Sequence, residues 1–215
     1  MNIERVLITG CGRSRTGYSA KPLSALDIPC GHEEVFSLQA CTSGEVDWPE
    51  SLLAESSWLA APFLGDLPPR TAILHQVRQS LSVIRSLARI GLFEGPSAYR
   101  SFVEEHLGGR ARWGWLGALE ACLRYWEEWN ALVERGAQES GLYYRRIQIQ
   151  QFDPGFLVSL LGELGFERSE AQVADCNTSG DKTVDENLTW QSLHEGDTKM
   201  AVALRAASYG LGLTQ

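Results

Sequence analysis

Apolar positions fall into short runs punctuated by glycine and proline, and the period of those runs changes along the chain. Val6 to Thr9 is apolar and rich in β-branched residues, and Gly10 and Gly12 bound it. That pattern predicts a buried parallel strand entering a glycine loop. From about Thr16 to Leu26 the period turns helical, with Ala20, Leu23 and Leu26 on one side. Pro22 stands inside that stretch and is expected to kink or shorten the helix, because it lacks the amide proton of the helical ladder. Pro29 and Gly31 follow as breakers, and Val35 to Leu38 is a candidate second strand. Between Cys41 and Pro69 periodicity is poor, with prolines at 49, 62, 68 and 69; a short helix over about 51–60 is the expectation there.

Thr71 to Val77 is the best central-strand candidate after the first, and it runs directly into a helix predicted over Ser80–Ile90. Leu81, Ile84, Leu87 and Ala88 recur at helical spacing, and Gly91 with Gly95-Pro96 ends the pattern. Leu116, Leu119, Leu123, Trp126 and Trp129 mark a long amphipathic helix running to about Arg135. Arg145 to Ile149 is a further strand, and Asp153-Pro154 opens a helix with Asp153 as N-cap and Pro154 at its first position. That helix is expected to stop at Gly165. A polar loop over 177–187 and a last helix over Gln191–Tyr209, broken near Gly196, complete the reading. Strands alternating with helices imply an α/β fold, a central parallel sheet flanked by helices in three layers, as one domain over 1–215.

Composition narrows the function. The 215 residues carry 44% hydrophobic and 21% charged side chains, as a folded globular chain does. A formal net charge of −8 argues against nucleic-acid binding, which draws on a basic face. A small anionic ligand stays compatible, since Arg13, Arg15, Arg78 and Arg85 concentrate positive charge around two segments. Five cysteines, at 11, 30, 41, 122 and 176, include no CxxC pair, so reduced thiols are expected rather than disulfides or zinc. The N-terminus does not read as a signal peptide, and no stretch approaches the roughly 20 apolar residues of a membrane span. A cytoplasmic protein is the expectation.

The chemistry concentrates in Gly10-Cys11-Gly12-Arg13-Ser14-Arg15-Thr16-Gly17-Tyr18, which joins a strand to a helix. Glycines let successive amides turn toward one anion at a helix N-terminus. Ser14 and Thr16 add hydroxyls and Arg13 adds a forked cation, a set suited to a terminal phosphate or phosphosulfate. A dinucleotide fingerprint fails here, because Arg15 stands where its third glycine belongs. Gly12 to Gly17 has Walker A spacing, yet Tyr18 replaces the lysine that reaches the terminal phosphates of ATP.

Gly12-Arg13-Ser14-Arg15-Thr16 resembles the loop with which sulfotransferases that use 3′-phosphoadenosine-5′-phosphosulfate (PAPS) grip the phosphosulfate. The basic residue of the family falls on Arg13 and its hydroxyls on Ser14 and Thr16; the family's glycine is Arg15 here. A second segment strengthens the likeness. Arg78 at a strand end and Ser86 in the following helix have the spacing at which the family holds the 3′-phosphate of the nucleotide. The resemblance thus implies cofactor contacts from Gly12, Arg13, Ser14, Arg15, Thr16, Gly17, Arg78 and Ser86. Gly31-His32-Glu33-Glu34-Val35-Phe36 is similar to the stretch carrying the catalytic glutamate of the carbohydrate-type enzymes. The match falls on Glu34, with His32 and Glu33 as fallbacks and Arg13 as the group that stabilises departing charge.

Weaker echoes reach Tyr125-Trp126-Glu127-Glu128-Trp129, Tyr144-Arg145-Arg146, Leu188-Thr189-Trp190 and Ala207-Ser208-Tyr209-Gly210, with neutral Gln148 where many relatives are acidic. The likeness spans most of the chain but is specific only over the first 40 residues and over 71–90. It implies in-line transfer of a sulfuryl group from PAPS to a hydroxyl of a small-molecule or carbohydrate acceptor, leaving adenosine 3′,5′-bisphosphate, without a metal. Trp48, Trp58, Trp113 and Trp115 are candidate pocket walls for the acceptor. Two other readings stand beside this one: a P-loop nucleotide-dependent kinase, and a catalytically degenerate sulfotransferase-like binding protein. The acceptor and the oligomeric state stay open.

Overall fold

A computed structural model describes residues 2–114 and 116–166. The expected loop over 177–187 and the last helix lie outside the described residues, as does Trp115. The elements run β1 (Arg5–Thr9), α1 (Thr16–Ala25), β2 (Cys30–His32), α2 (Leu38–Ser43), β3 (Ala54–Ser56), a 3-10 helix (Trp58–Asp66), β4 (Thr71–Val77), α3 (Ser80–Arg89), α4 (Ala98–His106), α5 (Arg110–Trp113), α6 (Ala118–Ser140), β5 (Tyr143–Gln148) and α7 (Pro154–Glu163). The five strands form one parallel sheet in the order β2-β3-β1-β4-β5, and helices flank it. The α/β class read from the alternation is what the chain adopts.

Among the described residues two compact units separate, one of 2–77 with 132–166 and one of 78–131. The first contains the sheet. Its core joins Val6, Ile8, Ala54, Ala72, Leu74 and Ile147 to Leu23 and Leu26 near α1 and to Leu157, Leu160 and Leu161 of α7. Every residue of β4 is buried, which is why its sequence shows no alternation of apolar and polar faces. Toward the C-terminal part of α6, Gly136 lets the helix approach the 3-10 helix: a Cβ there would lie 3.1 Å from that of Leu64. The second unit packs α3, through Val83, Ile84 and Leu87, and a group of rings. Phe93 stacks on Trp113 at 5.7 Å, and Tyr125 and Trp129 on α6 stand 5.3 Å apart.

Three expectations change. Val35 to Leu38 is not a strand: the second strand is Cys30–His32, and Val35 and Phe36 sit in the turn after it. Their burial satisfies the apolar pattern, while Ser37 N-caps α2 by accepting from the Ala40 amide at 3.2 Å. The helix expected over about 51–60 is instead β3 followed by the 3-10 helix. Flanked by β2 and β1, the β3 segment carries Glu55 and Ser56 at zero exposure, so its polar letters hid a central strand. Pro22 does not break α1, which continues to Ala25; the ring is buried and the helix ends within one turn of it.

Candidate functional site

The order of the strands fixes where a ligand belongs. From β1 the chain passes by α1 to β2 on one side, and from β4 it passes to β5 on the other, so the switch point of the sheet lies between β1 and β4. Parallel α/β sheets bind ligands outside the carboxyl ends of the strands at that point. The glycine loop leaves β1 there.

The loop is built by close approach. A Cβ on Gly10 would lie 2.1 Å from the carbonyl oxygen of Gln76 on β4, so only glycine fits. Cys11 is fully buried and its carbonyl accepts from the Ser14 amide at 3.1 Å, closing a turn. Arg13 and Arg15 both adopt left-handed backbone, with φ of 70° and 68°, and both side chains are exposed. Arg15 is the N-cap position of α1 and gives no side-chain cap. This is where the resembling loops carry glycine; the left-handed φ explains that choice, and Arg15 is strained by it.

Gln76 buttresses the loop from the neighbouring strand. Its side-chain amide donates to the Ser14 carbonyl, and its side-chain oxygen accepts from Ser19 Oγ on α1. Ser14 Oγ and Thr9 Oγ1 are left over: both are buried and have no hydrogen-bond partner among the described residues. Unsatisfied hydroxyls at the end of β1 and in the loop leading into α1, a loop that also carries two exposed arginines, fit an anionic group such as the phosphosulfate of PAPS. Thr16 opens α1, and its carbonyl accepts from Ser56 Oγ at 2.7 Å.

His32, at the end of β2, meets the same helix. Its Nδ1 hydrogen-bonds the Ser56 carbonyl at 2.8 Å, which leaves Nε2 toward Gly17, where a Cβ would lie 2.6 Å away. Glycine at 17 is therefore what admits the imidazole. Glu33 follows with a left-handed φ of 54°, and Glu34 is exposed in the next position. The structure thus brings Gly12 to Gly17 and His32 together and sets Glu34 two residues beyond the imidazole. Arg78 follows directly on Val77, the last residue of β4, and Ser86 lies within α3; both are half-buried and belong to the second unit.

Three residues of the site were not singled out from the sequence. Gln76 is one of two polar side chains in the interior of a fully buried strand, a position that demands a partner. Glu55 and Ser56 fall in the stretch expected as a short helix over about 51–60. Glu55 is fully buried, and burial, opposed by the amides of Glu34, Val35 and Phe36, pushes its pKa up to about 7. The other polar residue in the interior of β4, His75, is structural: its Nδ1 meets Tyr144 Oη on β5 at 2.9 Å. Burial raises the pKa of Tyr144, while Arg146, held by Glu134, opposes the rise. Of the candidate acceptor walls, Trp48 lines a cavity of about 430 Å³ with Arg5, Phe36, Phe63 and Asp66. Trp58 and Trp113 are buried packing residues.

No protein-family model matches the chain, and no curated protein sequence does. Among solved structures, the sulfotransferase domain from the curacin biosynthetic pathway is similar, with a TM-score of 0.57 and 12% identity over 99% of this chain and 98% of that one. A sulfotransferase from Alicyclobacillus acidocaldarius is similar with a TM-score of 0.57 and 14% identity, over 100% of this chain and 98% of its own. At such identity the likeness is one of fold: the chain has a sulfotransferase-like α/β fold. Among the described residues no helix is long and apolar enough to cross a membrane.

Proposed function

We propose that the chain is a sulfotransferase that takes the sulfuryl group of PAPS and transfers it to a hydroxyl of a small-molecule or carbohydrate acceptor. The observation that carries this reading is the glycine loop at the switch point, in which buried Ser14 Oγ lacks a hydrogen-bond partner among the described residues and stands between exposed Arg13 and Arg15 in sequence. Residues 1–215 act, on this reading, as one sulfotransferase-like domain.

When bound, the nucleotide supplies an activated sulfuryl group on its phosphosulfate. The chain's own residues do the rest. Ser14, Thr16 and the loop from Gly12 to Gly17 hold the 5′ end, and Arg78 and Ser86 hold the 3′-phosphate. Glu34 takes the proton of the attacking hydroxyl, and His32 stands as the alternative acceptor at the loop. Arg13 offers fixed positive charge to the departing phosphate, the electrostatic role that such reactions draw on most. Tyr18 at the Walker A lysine position disfavours an ATP-dependent kinase.

Calorimetric titration with adenosine 3′,5′-bisphosphate, beside magnesium ATP, tests the reading. Micromolar binding of the bisphosphate is expected, weakened about ten-fold or more in Arg13→Ala and in Arg78→Ala, since each loses a charge-assisted pair. Binding of magnesium ATP with none of the bisphosphate would transfer the case to a kinase. A second reading, a relative that keeps the fold and binds without turnover, draws on the strained Arg15. Bisphosphate binding that appears only in Arg15→Gly would favour it.

A further inference from the structure

Glu55 is a carboxylate in the middle of a central strand, an expensive place for an acid. Its register partners are Gly31 on β2 and Leu7 on β1. Gly31 makes the space, since a Cβ there would lie 2.2 Å from Glu55 Oε2 and 3.0 Å from Glu34 Cβ. Oε1 accepts from the backbone amide of Glu34 at 3.0 Å. The amides of Val35 and Phe36 lie near the carboxylate and, with that of Glu34, oppose the rise of its pKa. Oε2 is buried without a hydrogen-bond partner among the described residues. The turn after Glu33 is therefore tied to one side chain through the Glu34 amide, and Glu33 itself is left-handed and donates its amide to the Ser56 carbonyl at 3.3 Å. The same carbonyl holds His32, and Ser56 Oγ holds Thr16.

We infer that Glu55 is the positioning residue of the active site, fixing the turn of Glu34 to Phe36 so that Glu34 is presented at the end of β2. The inference rests on the sulfotransferase reading for what Glu34 does there, but the tether itself is independent of it. Burial is what a bystander on a surface turn would lack, and an apolar residue at 55 would fill the same space without reaching the amides. The groups facing the carboxyl are Glu34 in the turn, Cys30 on β2 and Cys41 on α2; both thiols are pushed up to about 12, by burial first and by Glu55 second. None of the three is a cation, so the hydrogen bond from the Glu34 amide is what ties the carboxyl to the turn.

Amide hydrogen exchange of the full chain tests the tether, comparing wild type with Glu55→Gln and Glu55→Leu. Exchange over 34–36 is expected to accelerate about ten-fold in Glu55→Leu, which removes the acceptor, and less in Glu55→Gln, which keeps one oxygen. Bisphosphate affinity is expected to stay within about three-fold in both, because the phosphate loop keeps Gln76 and Ser56. Where turnover is measurable, kcat falls in Glu55→Leu while the KM for the donor holds. Should Glu55→Leu fail to fold, Gly31→Ala serves instead, since its Cβ displaces Oε2 and the same local acceleration is expected. Unchanged exchange over 34–36 in a folded variant overturns the inference. Loss of bisphosphate binding by wild type alone would sink the sulfotransferase reading and leave the tether standing.

Discussion

Single side chains decide the shape of the phosphate loop. Gln76 satisfies a buried carbonyl of Ser14 and a buried hydroxyl of Ser19 at once. Gln76→Leu removes the donor from the buried Ser14 carbonyl and leaves Ser19 Oγ only its 3.5 Å contact to the Arg15 carbonyl, and is expected to cost about 1–3 kcal/mol, read as a lower midpoint in urea. The same variant should weaken bisphosphate binding, because the loop loses its support on β4. Arg15 works in the opposite direction. Its φ of 68° is a conformation that glycine adopts freely and that costs an L-residue about 1–2 kcal/mol. Arg15→Gly gives part of that back to the greater freedom of the unfolded chain, so a net gain of about 0.5–1 kcal/mol is expected. Differential scanning calorimetry should show it as a rise in Tm of about 2 °C.

Elements were legible where their letters repeat, and hidden where they do not. β1, β4, α3 and α7 follow from apolar runs, a helical stripe and the Asp153-Pro154 start; Asp153 does accept from the Phe156 amide at 2.8 Å. Asp153→Ala should therefore destabilise by about 1 kcal/mol in urea titration, as removal of an N-cap does. β2 and β3 escaped because each is three residues long, too short for a period, and because β3 reads Ala-Glu-Ser. Their strand character comes from neighbours far along the chain, which pair with them and bury them. The helix over Ala98–His106 escaped as well, its Phe102 and Val103 being adjacent in sequence and giving no clear stripe. At the candidate site, the loop follows from its glycine spacing, while His32 enters only beside Glu34 in the resembling stretch. The supporting Gln76, Glu55 and Ser56 were not legible, since what marks them is a partner 40 or more residues away for Gln76 and Ser56, and 21 for Glu55.

At the scale of the molecule, one buried acid couples stability to pH. Glu55 binds its proton more tightly folded than unfolded, with a folded pKa of about 7. Between about pH 4.5 and pH 7 the folded state therefore holds more protons than the unfolded one, and stability falls as pH rises through that window. The expected loss is on the order of 2–3 kcal/mol by pH 8. Glu55→Gln carries no such proton, so its stability curve should be flatter over the same range, checked by urea midpoints at several pH values. The buried thiol of Cys11, inside the loop itself, has a different consequence. An alkylating reagent reaches that sulfur only when the turn from Gly10 to Ser14 opens. The rate at which Cys11 is modified, followed by mass spectrometry of its peptide, is thus a clock for loop opening that needs no ligand, and any anion that closes the loop will slow it.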